Sequence, residues 1–182
     1  SGQYIKYGKN LTRPRKFELF RGERILVRQI PAKPPYSILA TFIKKILIND
    51  NNGMIIRIIN NNDLKIYYIL GLLNSQLMSF WFNTTFNKFQ RKIFPQFKVN
   101  ELAQFPIYKA SKEQQSGIIT LVNKLLQLNE DLNGTTINSE RWNSIKSEIE
   151  KTDKKIDEEV YKLYGLTQKE IEIIRKESKN DK

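Results

Sequence analysis

Residues 64–83, LKIYYILGLLNSQLMSFWFN, decide how the rest of the chain is read. The run is apolar nearly all round, with Lys65, Gln76, Ser79 and Asn83 on one narrow stripe at about 100° per residue. A helix of that kind is covered on most sides, so one long core helix laid against a sheet is expected. A membrane span is not: Lys65, Asn74, Ser75, Gln76 and Ser79 are too many polar groups for a hydrocarbon slab.

Upstream of this helix lie the strands it would cover. Residues 24–30, RILVRQI, follow the breaker Gly22 and are rich in β-branched side chains, as a strand requires. Residues 37–48 and 54–60 are two further apolar runs. Between them Asn49-Asp50-Asn51-Asn52-Gly53 has hairpin-turn composition, because Asn and Gly tolerate positive φ. A second Asn-rich stretch at 60–62 reads as another loop.

Downstream the pattern is helical. Ser111 and Gln114 make a capping box, and Ile118, Leu121, Val122, Leu125 and Leu132 follow at helical spacing until Asn133-Gly134. A second helix from about Ser139 carries Trp142, Ile145, Ile149, Ile156, Val160 and Leu163 on one face and stops at Gly165. Thr167 and Glu170 open a short last helix, and residues 176–182 are expected to fray. The fold class expected is α+β: a mixed β-sheet packed on a long core helix, followed by a helical C-terminal region. The domains expected are an α/β unit over residues 1–108 and a helical spacer or docking region over 109–182.

Charge divides the chain at nearly the same place. The net charge of +12 is unevenly held: residues 1–110 carry 18 Lys/Arg against 5 Asp/Glu, whereas residues 111–182 carry 13 against 14. A polyanion-binding face on the first part accounts for this; a uniformly basic protein does not. With no Cys and no His, disulfides, His or Cys catalysis and the usual zinc sites are excluded. The basic, polar start at Ser1 has no apolar signal core, and a cytoplasmic location is expected. The absence of an initiator Met suggests a piece of a longer chain.

Two stretches carry candidate contacts. The first holds Lys6, Tyr7, Lys9, Asn10, Thr12, Arg13, Arg15, Lys16, Arg21, Arg24, Arg28 and Gln29, opposed only by Glu18 and Glu23. Lys and Arg neutralise phosphates and release counterions; Arg forks onto guanine and Asn or Gln onto adenine. Tyr7 is a candidate for stacking. The second stretch offers Lys88, Gln90, Arg91, Lys92 and Gln96, interleaved with Phe89, Phe94 and Phe97, which read as packing. A merely solvated surface is the plain alternative, and the asymmetry between the halves weighs against it.

Two possible catalytic signatures fail. Lys33-Pro34-Pro35-Tyr36 evokes the amino-methyltransferase tetrapeptide, yet Lys33 is a donor where that chemistry needs an acceptor. Nor does a glycine-rich strand–loop–helix follow any strand. Asp153, Asp157, Glu158 and Glu159 alternate with Lys residues on an amphipathic helix and read as solvent-face ion pairs. No catalytic residue, metal or cofactor is expected in this chain.

Taken in order, several segments resemble a known family. Tyr7-Gly8-Lys9-Asn10-Leu11-Thr12-Arg13-Pro14-Arg15, then Phe20-x-x-Glu23-Arg24-Ile25-Leu26-Val27-Arg28-Gln29-Ile30, resemble the opening of the TaqI-like C-terminal specificity domain. Such domains occur in fused restriction–modification enzymes and adenine-specific DNA methyltransferases. Tyr68-Ile69-Leu70-Gly71-Leu72-Leu73-Asn74-Ser75-Gln76-Leu77 is similar to that family's central helix, and to one in type I specificity subunits. Phe94-Pro95-x-Phe97-Lys98-Val99-x-x-Leu102-x-x-Phe105-Pro106-Ile107 and the closing Leu163-Tyr164-Gly165-Leu166-Thr167 are similar to later segments. The resemblance implies a target-recognition module for double-stranded DNA. It also implies a methyltransferase domain of the same parent chain using S-adenosylmethionine, often preceded by a nuclease domain. Two readings of other classes stay open: a helical protein–protein assembly module, and a single-strand or RNA binder.

Overall fold

The computed structural model describes residues 7–11, 14–59, 63–86 and 96–177. Three strands, β1 (Arg24–Arg28), β2 (Ala40–Ile43) and β3 (Gly53–Ile56), form an antiparallel sheet in the order β2-β1-β3. Leu26 lies opposite Thr41 on one side and Ile55 on the other. The two-residue period therefore puts Ile25, Val27, Phe42, Met54 and Ile56 on one face, and Ile25 and Val27 are fully buried there. Arg24, Leu26 and Arg28 project from the other.

The α+β class matches the sequence reading, with a sheet antiparallel throughout and strands shorter than the apolar runs around them. Residues 44–48 show why. The guanidinium of Arg24 donates to the carbonyls of Lys45 (3.2 Å) and Leu47 (3.1 Å), and the Leu47 N–H donates to Phe20 O (3.3 Å). Those backbone groups are held by the first segment and cannot extend the β1–β2 ladder.

The expected single helix is two: α1 (Ile66–Leu73) and α2 (Gln76–Phe86). The break at Asn74-Ser75 is made by side chains that replace the lost helical bonds. Asn74 accepts from Ala40 N and donates to Ala40 O, both at 2.9 Å, and so takes the place of a neighbouring strand beside β2. Ser75 Oγ accepts the Met78 N–H (3.3 Å), and Asp157 Oδ1 accepts that of Gln76 (2.8 Å). The backbone donors at the start of α2 thus keep partners.

A single turn, α3 (Val99–Leu102), precedes the long antiparallel pair α4 (Lys112–Asn133) and α5 (Glu140–Leu163), and α6 (Gln168–Glu177) closes the described chain. The starts are capped as the sequence indicates. Ser111 Oγ accepts from Gln114 N while Gln114 Oε1 accepts from Ser111 N (2.9 Å). Ser139 Oγ accepts from Trp142 N (3.1 Å), and Glu170 reaches back to Thr167 N (2.7 Å). Among the described residues no helix is long and apolar enough to cross a membrane.

One hydrophobic core runs across residue 108. It joins Ile25, Val27, Tyr68, Leu72 and Phe82 to Ile118, Val122, Ile156 and Val160. Buried polar ties cross as well. Gln115, 1% exposed, accepts the Lys65 N–H ahead of α1 (2.9 Å) and donates to Asp63 O and Ala110 O. The charge boundary is thus not a packing boundary.

Asp157 departs from its expected place on a solvent face. It is 3% exposed, and its Oδ2 accepts from the Tyr36 hydroxyl at 2.8 Å while Oδ1 caps α2. Gln76 joins the same group, donating to Tyr36 Oη (3.2 Å) and accepting from Tyr161 Oη (3.1 Å). The helix phase of α5 reads correctly; the error lies in assuming that an acidic residue must face water. Burial raises its pKa to about 6, with the Gln76 amide and Tyr36 hydroxyl opposing and Asp153 adding to the rise. Asp153 is raised likewise to about 6, by burial and then Glu150.

The sign follows from linkage. Between about pH 4 and 6 the folded chain holds a proton on Asp157 that the unfolded chain has released, so this group's contribution to stability falls as pH rises through that window. Asp157→Asn keeps an acceptor for Gln76. Unfolding free energies of the two proteins, measured from pH 4 to pH 7, should therefore diverge, the wild type losing about 2 kcal/mol relative to the variant. Parallel profiles would show that Asp157 titrates as an ordinary surface carboxylate.

Candidate nucleic-acid interface

The β2–β3 turn organises the surface on which the charged residues meet. Asn49 Nδ2 donates to Asp50 O (2.8 Å) and Gly53 O (2.9 Å), closing the turn on itself. Gly53 faces Arg28 across the ladder. A Cβ on Gly53 would stand 2.7 Å from Asn49 Nδ2 and 2.8 Å from Leu26 Cδ1, so the turn packs this closely only over glycine.

Two segments then bond to this turn, and a third joins through the residue after β1. Arg15 Nη1 donates to Asp50 O (3.2 Å), bringing in the N-terminal arm. Gln29 N donates to Asn52 O (2.8 Å), fixing the end of β1. Phe97 N donates to Gln29 O (2.7 Å), which sets Gln96 beside Gln29. Arg15, Arg28 and Gln29 thus meet around residues 50–53, and Gln96 comes next to Gln29 through the neighbouring Phe97 N–H.

The remaining candidates divide. Lys9, Asn10 and Lys16 are exposed on the arm. Tyr7 is half-buried, its ring 5.8 Å from that of Phe17 and 5.5 Å from that of Phe20, and its hydroxyl donates to the Arg15 carbonyl. It anchors the arm, with its ring already engaged. Lys6, Thr12, Arg13, Lys88, Gln90, Arg91 and Lys92 lie outside the described residues. Phe97 is fully buried, as its reading as a packing residue requires. Arg24, counted in the basic stretch, is 1% exposed and spends its donors on three carbonyls, so no phosphate reaches it. Burial and then the neighbouring Arg57 lower its pKa; a guanidinium stays charged all the same.

Sequence reasoning missed two contributors. Arg57, one residue past β3, lies on the same sheet face and donates to Glu18 O (3.0 Å). The turn 49–53 is legible as a turn, but nothing in its residues tells which segments dock on it.

A cleft of about 830 Å³ opens directly beside this surface, between the sheet and the α4–α5 pair, and shares Arg28, Asn49, Asp50, Asn52 and Gly53 with it. Its walls carry Asp50, Asp153 and Asp157 against the single cation Arg28. That balance does not suit a phosphate backbone. Cations outside the cleft do: Arg15 at the turn, and Arg57 past the far end of β3, where Ile56 pairs with Ile25.

No curated protein sequence matches the chain. Among solved structures it is similar to the Type IIL restriction-modification enzyme MmeI, determined in complex with DNA, with a TM-score of 0.53 and 16% identity. The match covers 90% of this chain and 20% of that one, so this chain spans about a fifth of its neighbour and the likeness is one of fold. The family model of the TaqI-like C-terminal specificity domain matches residues 1–107, which include the sheet, the turn and α1 to α3. The chain belongs to the TaqI-like C-terminal specificity domain family.

Proposed function

We propose that this chain reads the sequence of double-stranded DNA for a restriction–modification enzyme. The observation that carries the reading is the convergence of Arg15, Arg28 and Gln29 on the 49–53 turn, with Gln96 brought in behind Gln29. Cations with a bidentate fork stand there beside amides, which is the chemistry needed to hold phosphates and to read base edges. The exposed cations of the arm, Lys9 and Lys16, extend the phosphate-binding surface. The complex of MmeI with DNA supports the same partner for a related fold.

In this reading the reaction belongs to another part of the parent chain. A methyltransferase domain there would bind S-adenosylmethionine and act on an adenine N6, with or without a fused endonuclease. The present chain would hold the duplex in register while the adenine is turned out of the stack.

The assembly-module reading is weaker. The apolar faces of α4 and α5 are used within the chain: Ile118, Val122, Ile156 and Val160 are all in its own core. The test of the DNA reading is a titration with duplex DNA, single strands and RNA at salt from roughly 50 to 200 mM. Duplex should bind best, with affinity falling steeply as salt rises. Affinity insensitive to salt, or equal for RNA, would overturn it.

A further inference from the structure

We infer that Ile46, Leu47 and Ile48 form an apolar wedge that enters a base step of the bound duplex. The inference rests on the DNA reading above and adds to it a contact that charge alone does not supply. These three consecutive aliphatic residues are 59%, 37% and 48% exposed. Such a run facing solvent at a loop is costly to leave bare and marks a contact surface.

The loop is held rather than loose. Arg24, buried beneath it, donates to Lys45 O and Leu47 O above and to Gly22 O (2.8 Å) behind, while Phe20 O accepts the Leu47 N–H. The carbonyls of residues 45 and 47 are thus turned inward to the guanidinium. Because Arg24 alternates with Leu26 and Arg28 along β1, the loop stands over the sheet face that also bears Arg28. A five-residue strand spans about 17 Å, so wedge and turn lie within one short stretch of duplex.

The surroundings select the partner. Lys44 and Lys45 directly precede the wedge and are exposed, as are Arg21 and Arg57. Glu23 lies 3.5 Å from Lys44, and the Arg24 guanidinium beneath the loop donates to the carbonyls of Gly22, Lys45 and Leu47. An apolar ridge in a cationic field fits a polyanion with apolar steps, which is what stacked base pairs between phosphates present. Side chains of this kind partly unstack a step and bend the duplex.

The test uses the 182-residue chain and a mixed-sequence duplex of about 25 base pairs carrying a dye at each end. Ile46→Ser combined with Ile48→Ser removes apolar surface without charge, and these exposed positions should leave the thermal midpoint unchanged. The variant should bind about 10-fold more weakly at every salt concentration, with the salt slope unaltered, since no counterion release is lost. The dye pair should report a bend with the wild type and none with the variant. Equal affinity and equal bending overturn the wedge while leaving the DNA reading intact, and so does weakening where the wild type itself does not bend the duplex. A wild type with no salt slope removes the DNA reading and the wedge together.

Discussion

Replacing both Arg15 and Arg28 by Ala should weaken duplex binding about 100-fold at moderate salt, an effect larger than that of any other pair of surface changes in the described residues. Both arginines stand at the 49–53 turn, one bonded to Asp50 O and the other as the ladder partner of Gly53. The salt dependence separates their roles. Phosphate contacts release about 0.9 counterion each, so two lost contacts would flatten the slope of log K against log salt by about 2. Base contacts would leave the slope as it is and relax discrimination between sequences. An unchanged dissociation constant would remove the turn from the site altogether. Because Arg15 also holds Asp50 O, the single Arg28→Ala variant separates loss of contact from movement of the arm; it alone should account for about 10-fold.

How much of this was legible in the sequence depends on what kind of residue carried the information. Periodicity placed the two longest helices, α4 and α5, because an apolar stripe has one way to be buried. Capping residues placed the starts of α4 and α6, since Ser111 and Thr167 satisfy donors only a few residues away. What stayed hidden was long-range. Asn74 gives no local hint that it will pair with Ala40 and end α1 there, and a run as apolar as residues 64–83 reads as continuous. Asp157 carries a charge on an otherwise mixed helix face, and only the arrival of Tyr36 and the α2 terminus makes its burial tolerable. Arg24 belongs to the same class: its alternation is that of a strand residue, but the loop that buries it is 21 positions away in sequence.

The candidate site was legible by type and only partly by membership. Net charge by segment pointed to the first part of the chain, since an anion-binding face needs an excess of cations whatever the fold. It could not tell a surface arginine such as Arg28 from a structural one such as Arg24, four residues apart on one strand and on one face. The difference lies in what covers each end of the sheet. Residues 44–48 close over Arg24, whereas the tight turn at Gly53 leaves Arg28 open.

Gly71 is where the largest loss of stability is expected. It lies inside α1, where glycine ordinarily costs about 0.5–1 kcal/mol relative to alanine. The cost is accepted because α1 crosses α4 there without room for a side chain. A Cβ on residue 71 would stand 2.6 Å from Ile118 Cγ2 and 2.9 Å from Val122 Cγ2. Both neighbours are β-branched and buried, so neither can rotate away cheaply. Gly71→Ala should therefore destabilise the fold by about 2 kcal/mol in spite of its better helix propensity, and Gly71→Leu by more than about 3 kcal/mol. For a chain of this length the alanine variant should melt about 4–8 °C lower. The origin is checked by adding space on the other helix. Ile118→Ala alone leaves a cavity and costs stability, but combined with Gly71→Ala it should recover at least 1 kcal/mol relative to the sum of the two single changes, roughly the coupling expected of residues in direct contact. Strict additivity, or an alanine variant as stable as the parent, would mean that α1 and α4 do not approach as closely as their backbones indicate. Since the same crossing carries the core from the sheet into the helical pair, a loosened α1 should also lower the protection of α4 amides from hydrogen exchange.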